Sequence, residues 1–260
     1  MSHLAAPCHS YFTSPVVTVE VGDDINEAYR KMSETDVSCL AVVEQGRIAG
    51  VLSRTDLLRI GTREAGKSPK AALVTLPHRR VEEVMTRDVV TVGQEDSIRK
   101  AAKHMVERRI HRVFVTNDQG EPVGVISTRD LMLAVRDARI NLQVEEVMSC
   151  PAFTIRADEH VSEAVARLER AHISGLAVVD RDWPVGVFTQ RDALLFQSVP
   201  RSTPVEEVMD PAVLVLSPST LIHRAAAQAA AMKARRILVA SGSEMVGVLT
   251  GLTFARVIAD

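Results

Sequence analysis

The sequence predicts an α/β (α+β) protein built from four β-α-β-β-α repeats. Three observations predict it. The pentapeptide VEEVM stands at Val81, Val144 and Val205, word for word and at nearly constant spacing, which marks a tandem architecture. A short β-branched run opens each unit: VVTV from Val16, VVTV from Val89, AFTI from Ala152 and AVLV from Ala212. A glycine-led strand closes each hairpin: GVLS from Gly50, GVIS from Gly124, GVFT from Gly186 and GVLT from Gly247.

The elements follow in order. After each opening strand and a polar turn comes an amphipathic stretch. In repeat 2, Ile98, Ala101, Ala102 and Met105 fall at i, i+3, i+4 and i+7, which is one face of a helix. Ile25, Ala28, Tyr29 and Met32 repeat the spacing, as do Val161, Ala164, Val165 and Leu168. The fourth helix, 221–232, is Ala-rich, and its small side chains suit close approach of a neighbour. Two β-branched runs then flank a turn. RVFVTNDQGEPVGVIS is the clearest hairpin, with Pro122 assigned to the turn. A second helix such as TRDLMLAV ends the unit. The first repeat lacks the pentapeptide. The expected layout is an N-terminal segment 1–14, repeats at 15–60, 81–137, 138–199 and 200–260, and a linker at 61–80. The linker is rich in Gly, Lys, Ser and Pro. One such unit is too small to cover both faces of its sheet, so four units predict two pairs.

Composition narrows the function. The net charge of −2 gives no global field for nucleic acid or an anionic membrane. Three widely spaced cysteines, Cys8, Cys39 and Cys150, form no disulfide framework and no zinc site. They point to a reducing, cytoplasmic compartment. No secretory signal or membrane span is read. Cys39 lies in a strand-like run and is expected to be a small core residue. Met85, Met148 and Met209 are expected to pack, and Trp183 to be exposed in its hairpin turn.

The lead-in VEEVM, the helix, the hairpin and the closing G-h-h-[ST]-x-x-D resemble the CBS domain, the cystathionine β-synthase-type module. The resemblance spans about 15–258 in four copies. Its layout is similar to that of gamma regulatory subunits of AMP-activated protein kinase. The resemblance implies two paired Bateman modules packed as a disc, with adenosine-containing ligands in the clefts.

The site residues follow from the same motif. Ser53 and Asp56, Ser127 and Asp130, and Thr189 and Asp192 stand three apart at a strand-to-helix turn. A carboxylate there can accept from both hydroxyls of a ribose, and the hydroxyl side chain and helix N–H groups can hold phosphate. The same spacing also makes a capping box, in which both side chains satisfy backbone N–H groups. The resemblance implies the ribose role for Asp56, Asp130 and Asp192. Repeat 4 keeps Thr250 but has Thr253 in place of Asp, so its cleft is expected to be empty, weak or different.

His111-Arg112 and Arg235-Arg236 align with Ser38-Cys39 and Ser174-Gly175, so basic pairs alternate with small residues. The resemblance implies phosphate contact for all four basic residues, with Arg129 and Arg191 as secondary candidates. Thr18, Thr91 and Thr154 of the first strands are expected to line the pocket, and Leu214 breaks that pattern in repeat 4.

The reading is a sensor without catalytic activity that binds AMP, ADP or ATP, with or without Mg, and acts on an unknown protein partner. Nucleic acid and membrane are excluded as partners, and a second copy of the chain remains open. The alternatives are a ligand-independent dimerisation scaffold, or a site for S-adenosylmethionine or NAD.

Overall fold

Each β-branched opening run forms a three-residue strand, because only that length lies beside the hairpin it joins. In repeat 1, β1 (Thr18–Glu20) pairs parallel with β2 (Cys39–Glu44), and β2 pairs antiparallel with β3 (Arg47–Ser53). A parallel neighbour needs a crossover, and helix α1 (Ile25–Glu34) supplies it. Repeat 2 gives β4 (Thr91–Gly93), α2 (Ile98–Arg108), β5 (Arg112–Thr116), β6 (Pro122–Ser127) and α3 (Thr128–Asp137). After the one-turn helix α4 (Val144–Val147), repeat 3 gives β7 (Thr154–Arg156), α5 (Val161–Arg170), β8 (Gly175–Asp180) and β9 (Trp183–Thr189). Repeat 4 gives β10 (Leu214–Leu216), α6 (Ile222–Met232), β11 (Arg236–Ser241), β12 (Glu244–Thr250) and α7 (Gly251–Ala259). The four three-stranded sheets share one strand order, and every hairpin carries a bulge at the equivalent place, such as Val42/Val43 and Val178/Val179. The structure is a computed structural model describing residues 5–54, 56–57, 60, 76–171, 173, 175–189, 192–193 and 199–260.

The helix faces hold with two corrections. Ile98, Ala101, Ala102 and Met105 are fully buried, as are Ile25, Ala28 and Met32. Tyr29 is 47% exposed, and Val165 is only partly buried at the rim of its core. A three-stranded sheet covers a narrow stripe of each helix, so the i+4 position can fall at its flank. Pro122 opens β6 rather than sitting in the turn. It is tolerated there because β6 is an edge strand, where a missing N–H costs no ladder bond.

The chain divides into two units: one takes Ile98–His111 and Thr128–Asp260, the other Pro7–Ser97 and Arg112–Ser127. In the smaller unit, the VEEVM lead-in of repeat 2 docks on repeat 1. Val81 and Met85 enter the core with Ile25, Met32 and Leu52. The amide of Val81 donates to Asp23, that of Glu82 to Val21, and Val51 and Thr86 exchange a pair of backbone bonds. Gly50 leaves room for the Met85 side chain, since a Cβ there would stand 2.5 Å from its Sδ.

Residues 7–13 do the reciprocal job on repeat 2. Cys8, fully buried, donates its amide to Asp96, Thr13 exchanges bonds with Val125, and the Phe12 ring covers Gly124. The first repeat does lack the pentapeptide, but Cys8, Phe12 and Thr13 stand where Val81, Met85 and Thr86 stand.

The larger unit repeats the exchange. Met148 covers Gly247 of repeat 4, and Met209 covers Gly186 of repeat 3. Ser149 pairs with Val248, and Asp210 with Val187. The sheets of repeats 3 and 4 share Ala177, Val187 and Leu238 between them. The Ala-rich α6 packs on α3, and α7 packs on α2 and α3. Gly251 permits that approach, since a Cβ there would lie 2.6 Å from the Cβ of Thr128. Burying one large aliphatic side chain this way stabilises by about 1.5–3 kcal/mol.

Candidate ligand-binding site

The register of every sheet brings the start of the first strand, the start of the second and the end of the third to one edge. Thr18 stands beside Ala41, and Cys39 pairs with Ser53. Thr154 stands beside Ala177, and Gly175 pairs with Thr189. Thr91 and Leu214 begin the corresponding strands of repeats 2 and 4. Thr18, Thr91 and Thr154 are half-buried, whereas Leu214 is buried. The sheet alone therefore gathers candidate residues that lie far apart in sequence.

The S/T-x-x-D motif forms a capping box in two repeats. Asp56 Oδ2 accepts from the Ser53 amide at 3.0 Å and from its hydroxyl at 2.5 Å, while the Asp56 amide donates to Ser53 Oγ at 3.2 Å. Asp192 Oδ2 accepts from the Thr189 amide at 2.9 Å and its hydroxyl at 2.6 Å. The Asp192 amide returns a longer bond to Thr189 Oγ1, 3.4 Å. Ser127 ends β6, and Asp130 and the exposed Arg129 lie in the first turn of α3.

In repeat 4 the Thr250 amide donates to Thr253 Oγ1 at 3.1 Å. Thr253 is 1% exposed, at the start of a helix packed on α3. A carboxylate at that place would lose much of its hydration, a cost that the neutral hydroxyl capping the same amide avoids.

The alternation of basic and small residues also has a geometric cause. In the smaller unit, Arg112 of repeat 2 reaches Ser38 of repeat 1, and its Nη2 donates to Ser38 Oγ. It lies close to Cys39: burial pushes that thiol up from its ordinary value, while the Arg112 charge pulls it back and Asp56 pushes it up. In the larger unit, Arg236 of repeat 4 lies on Gly175 of repeat 3. A Cβ on Gly175 would stand 2.7 Å from Arg236 Cζ and 2.9 Å from Nε. Burial pushes this guanidinium below its usual value, and the nearby Asp192 carboxylate pulls it the other way. Each pair thus delivers the arginine of its even repeat into the edge that carries the aspartate of its odd repeat. His111 and Arg235, one residue before each arginine, are exposed.

Arg191 and Ser174, and residues 61–75 of the expected linker, lie outside the described residues. An open cavity of about 450 Å³ in the smaller unit is lined by Arg47, Arg87, Thr91, Thr116 and Asp118, and by none of the hydroxyl–aspartate pairs. Among the described residues no metal-ligating cluster occurs, and no helix is long and apolar enough to cross a membrane. Trp183 is 48% exposed, as its hairpin position implies.

Two features escape the sequence reading. One is the docking of residues 7–13, for which the signal was C-x-x-x-F-T beside V-x-x-x-M-T. The other is the methionine-over-glycine contact, which no spacing along one repeat reveals, because its two halves come from paired repeats.

The CBS-domain family model matches residues 8–62, 81–137 and 144–198. Its first match begins at Cys8, in agreement with the docking of that segment. A solved structure from Methanocaldococcus jannaschii, described as a proposed archaeal homologue of g-AMPK, superposes with a TM-score of 0.79 at 17% identity, covering 98% of this chain and 100% of that one. An uncharacterised protein from the same organism is 25% identical over 166 residues, 58% of this chain and 37% of its own length. The inosine-5'-monophosphate dehydrogenase of Korarchaeum cryptofilum is 26% identical over 155 residues, 57% of this chain and 30% of the enzyme. The alignments with these two curated relatives thus span about a third of the relatives' length.

Proposed function

This chain belongs to the CBS-domain family, and on that premise we propose that it is a regulatory module that binds an adenine nucleotide and passes the bound state to a protein partner. The observation that carries this reading is the placement of Arg112 and Arg236 against the Asp56 and Asp192 edges. The family resemblance implies an adenosyl ligand, and a resident guanidinium favours one with phosphate, AMP, ADP or ATP, over S-adenosylmethionine; NAD, which carries a diphosphate, is tested beside them.

In this reading Asp56, Asp130 and Asp192 accept from the ribose hydroxyls. The capping bonds of Asp56 and Asp192 fall on Oδ2, and a carboxylate has acceptor sites on both oxygens. Arg112 and Arg236, with exposed His111, Arg129 and Arg235, meet the phosphates. One charge-assisted hydrogen bond contributes about 1.5–3 kcal/mol, roughly tenfold or more in affinity. Binding regulates a partner only if the two conformations differ in ligand affinity. That enzyme chains such as the dehydrogenase carry a match over only part of their length suits a regulatory rather than a catalytic role.

The test is calorimetric titration of AMP, ADP, ATP, S-adenosylmethionine and NAD into the full chain and into Asp56→Asn and Asp192→Asn variants. Asn keeps an oxygen for the capping bonds and removes the charge. Saturable binding of a phosphorylated adenosine, weakened about tenfold by either substitution with the melting curve preserved, supports the reading. A silent wild type at millimolar ligand removes it. The reciprocal capping bonds favour one second reading, a scaffold in which the aspartates serve the helix alone. That reading expects no titration heat from any of the five ligands and a stable association between chains.

A further inference from the structure

We infer that Gly175 is a positioning residue that sets how strongly the Asp192 cleft prefers a phosphorylated ligand, acting through Arg236. The inference rests on the nucleotide reading above and concerns how its two arginine-bearing clefts differ.

Both clefts carry an arginine, but they hold it differently. At the Asp56 edge the residue that pairs with the motif serine is Cys39, which has a side chain. Its arginine is tied to the neighbouring hydroxyl of Ser38. At the Asp192 edge the residue that pairs with Thr189 is Gly175, and the guanidinium occupies the volume a Cβ would fill, within 2.7–2.9 Å of it at Cζ, Nε and Nη2. Real Cβ contacts do not come that close, so any side chain at 175 displaces the arginine. No positive φ is recorded at Gly175. Its lack of a side chain is therefore explained by the room it leaves for Arg236, not by backbone freedom.

The consequence is preorganisation. Arg236 has already given up much of its water on packing against Gly175, beside the Asp192 carboxylate. A phosphate entering there meets a fixed, desolvated cation, and pre-set dipoles and charges act most strongly where water is excluded.

The experiment measures AMP and adenosine affinities in a chain carrying Asp56→Asn and Asp130→Asn, which leaves Asp192 as the one ribose carboxylate of the motif. Gly175→Ala, Arg236→Gln and the double variant are added to it. The expected result is that Gly175→Ala lowers the AMP-to-adenosine preference about tenfold, the worth of one charge-assisted bond, with adenosine affinity unchanged within about twofold. Arg236→Gln does the same, and Gly175→Ala then adds nothing in its presence, because the atoms it displaces are gone.

Equal losses for both ligands, or additive effects of the two substitutions, overturn the inference and leave the nucleotide reading standing. Binding by the wild type but none by the Asp192-only chain overturns it as well. Failure of the unmodified chain to bind either ligand overturns the nucleotide reading itself and the inference with it.

Discussion

Truncating Phe12 to alanine tests whether residues 7–13 are a structural part of the smaller unit. Its ring lies over Gly124, with Cγ 2.5 Å and Cδ2 2.6 Å from where a Cβ would be. The side chain is partly buried. Full truncation of a core phenylalanine costs about 3–5 kcal/mol, so a half-covered ring should cost roughly 2 kcal/mol. The same segment is held by the Thr13 amide to Val125 oxygen at 2.9 Å and the Val125 amide to Thr13 oxygen at 3.1 Å. Loosening the ring should therefore also expose the Val125 amide. The assay is urea denaturation followed by circular dichroism, with hydrogen exchange read at Val125. Trp183 lies in the larger unit, and its fluorescence gives a second reporter. The expected outcome is a stability loss near 2 kcal/mol by circular dichroism, with faster exchange at Val125. A loss below about 0.5 kcal/mol with Val125 protection intact would show that the segment rests on the surface without supporting it, and the equivalence of Phe12 to Met85 would fall.

Three further outcomes follow from the geometry. Gly247→Ala places a Cβ 2.5 Å from Met148 Sδ and 3.1 Å from the Ser149 oxygen. It should cost about 1–3 kcal/mol by overpacking in urea denaturation, whereas Gly22→Ala, with no atom within 4 Å, should stay within about 0.5 kcal/mol of the parent. Thr253→Asp, which restores the motif at a buried position, should destabilise by about 2 kcal/mol or more at neutral pH. Desolvation raises the folded-state pKa of such a carboxyl above its unfolded value. The penalty should therefore shrink as pH falls through the folded value and be absent below the unfolded one; a constant penalty across pH would refute this. Alkylation followed by mass spectrometry should modify exposed Cys150 well before half-buried Cys39. Arg112→Ala should slow Cys39 further, because it removes the charge that favours the thiolate; faster alkylation would mean that shielding by the arginine dominates.

The amphipathic spacing of Ile98, Ala101, Ala102 and Met105 needs only the helical period, so the burial of that face was legible without coordinates. The site motif was legible in the same way: Ser53 and Asp56 stand three apart because a helix begins between them, and that local fact gave the capping box, whereas the ribose candidate came from the family resemblance. The narrowness of each sheet was not legible, so Tyr29 and Val165 were placed too deep. Nor was the identity of the element lying over each glycine, because Gly50 and Met85 meet only when a lead-in docks on the paired repeat.

The sequence by itself determined the four repeats, their strand and helix types, and the hydroxyl–aspartate caps that open the last helices, since period and turn residues act over a few neighbours. Only the tertiary structure decided which repeats exchange lead-ins, that Gly175 faces Arg236 while Arg112 reaches both Ser38 and Cys39, and that Thr253 is buried where the other repeats carry aspartate. Those are questions of which surfaces exclude water from each other, and desolvation depends on neighbours far along the chain. A residue's period records its face, but its partner is fixed only when that face is covered.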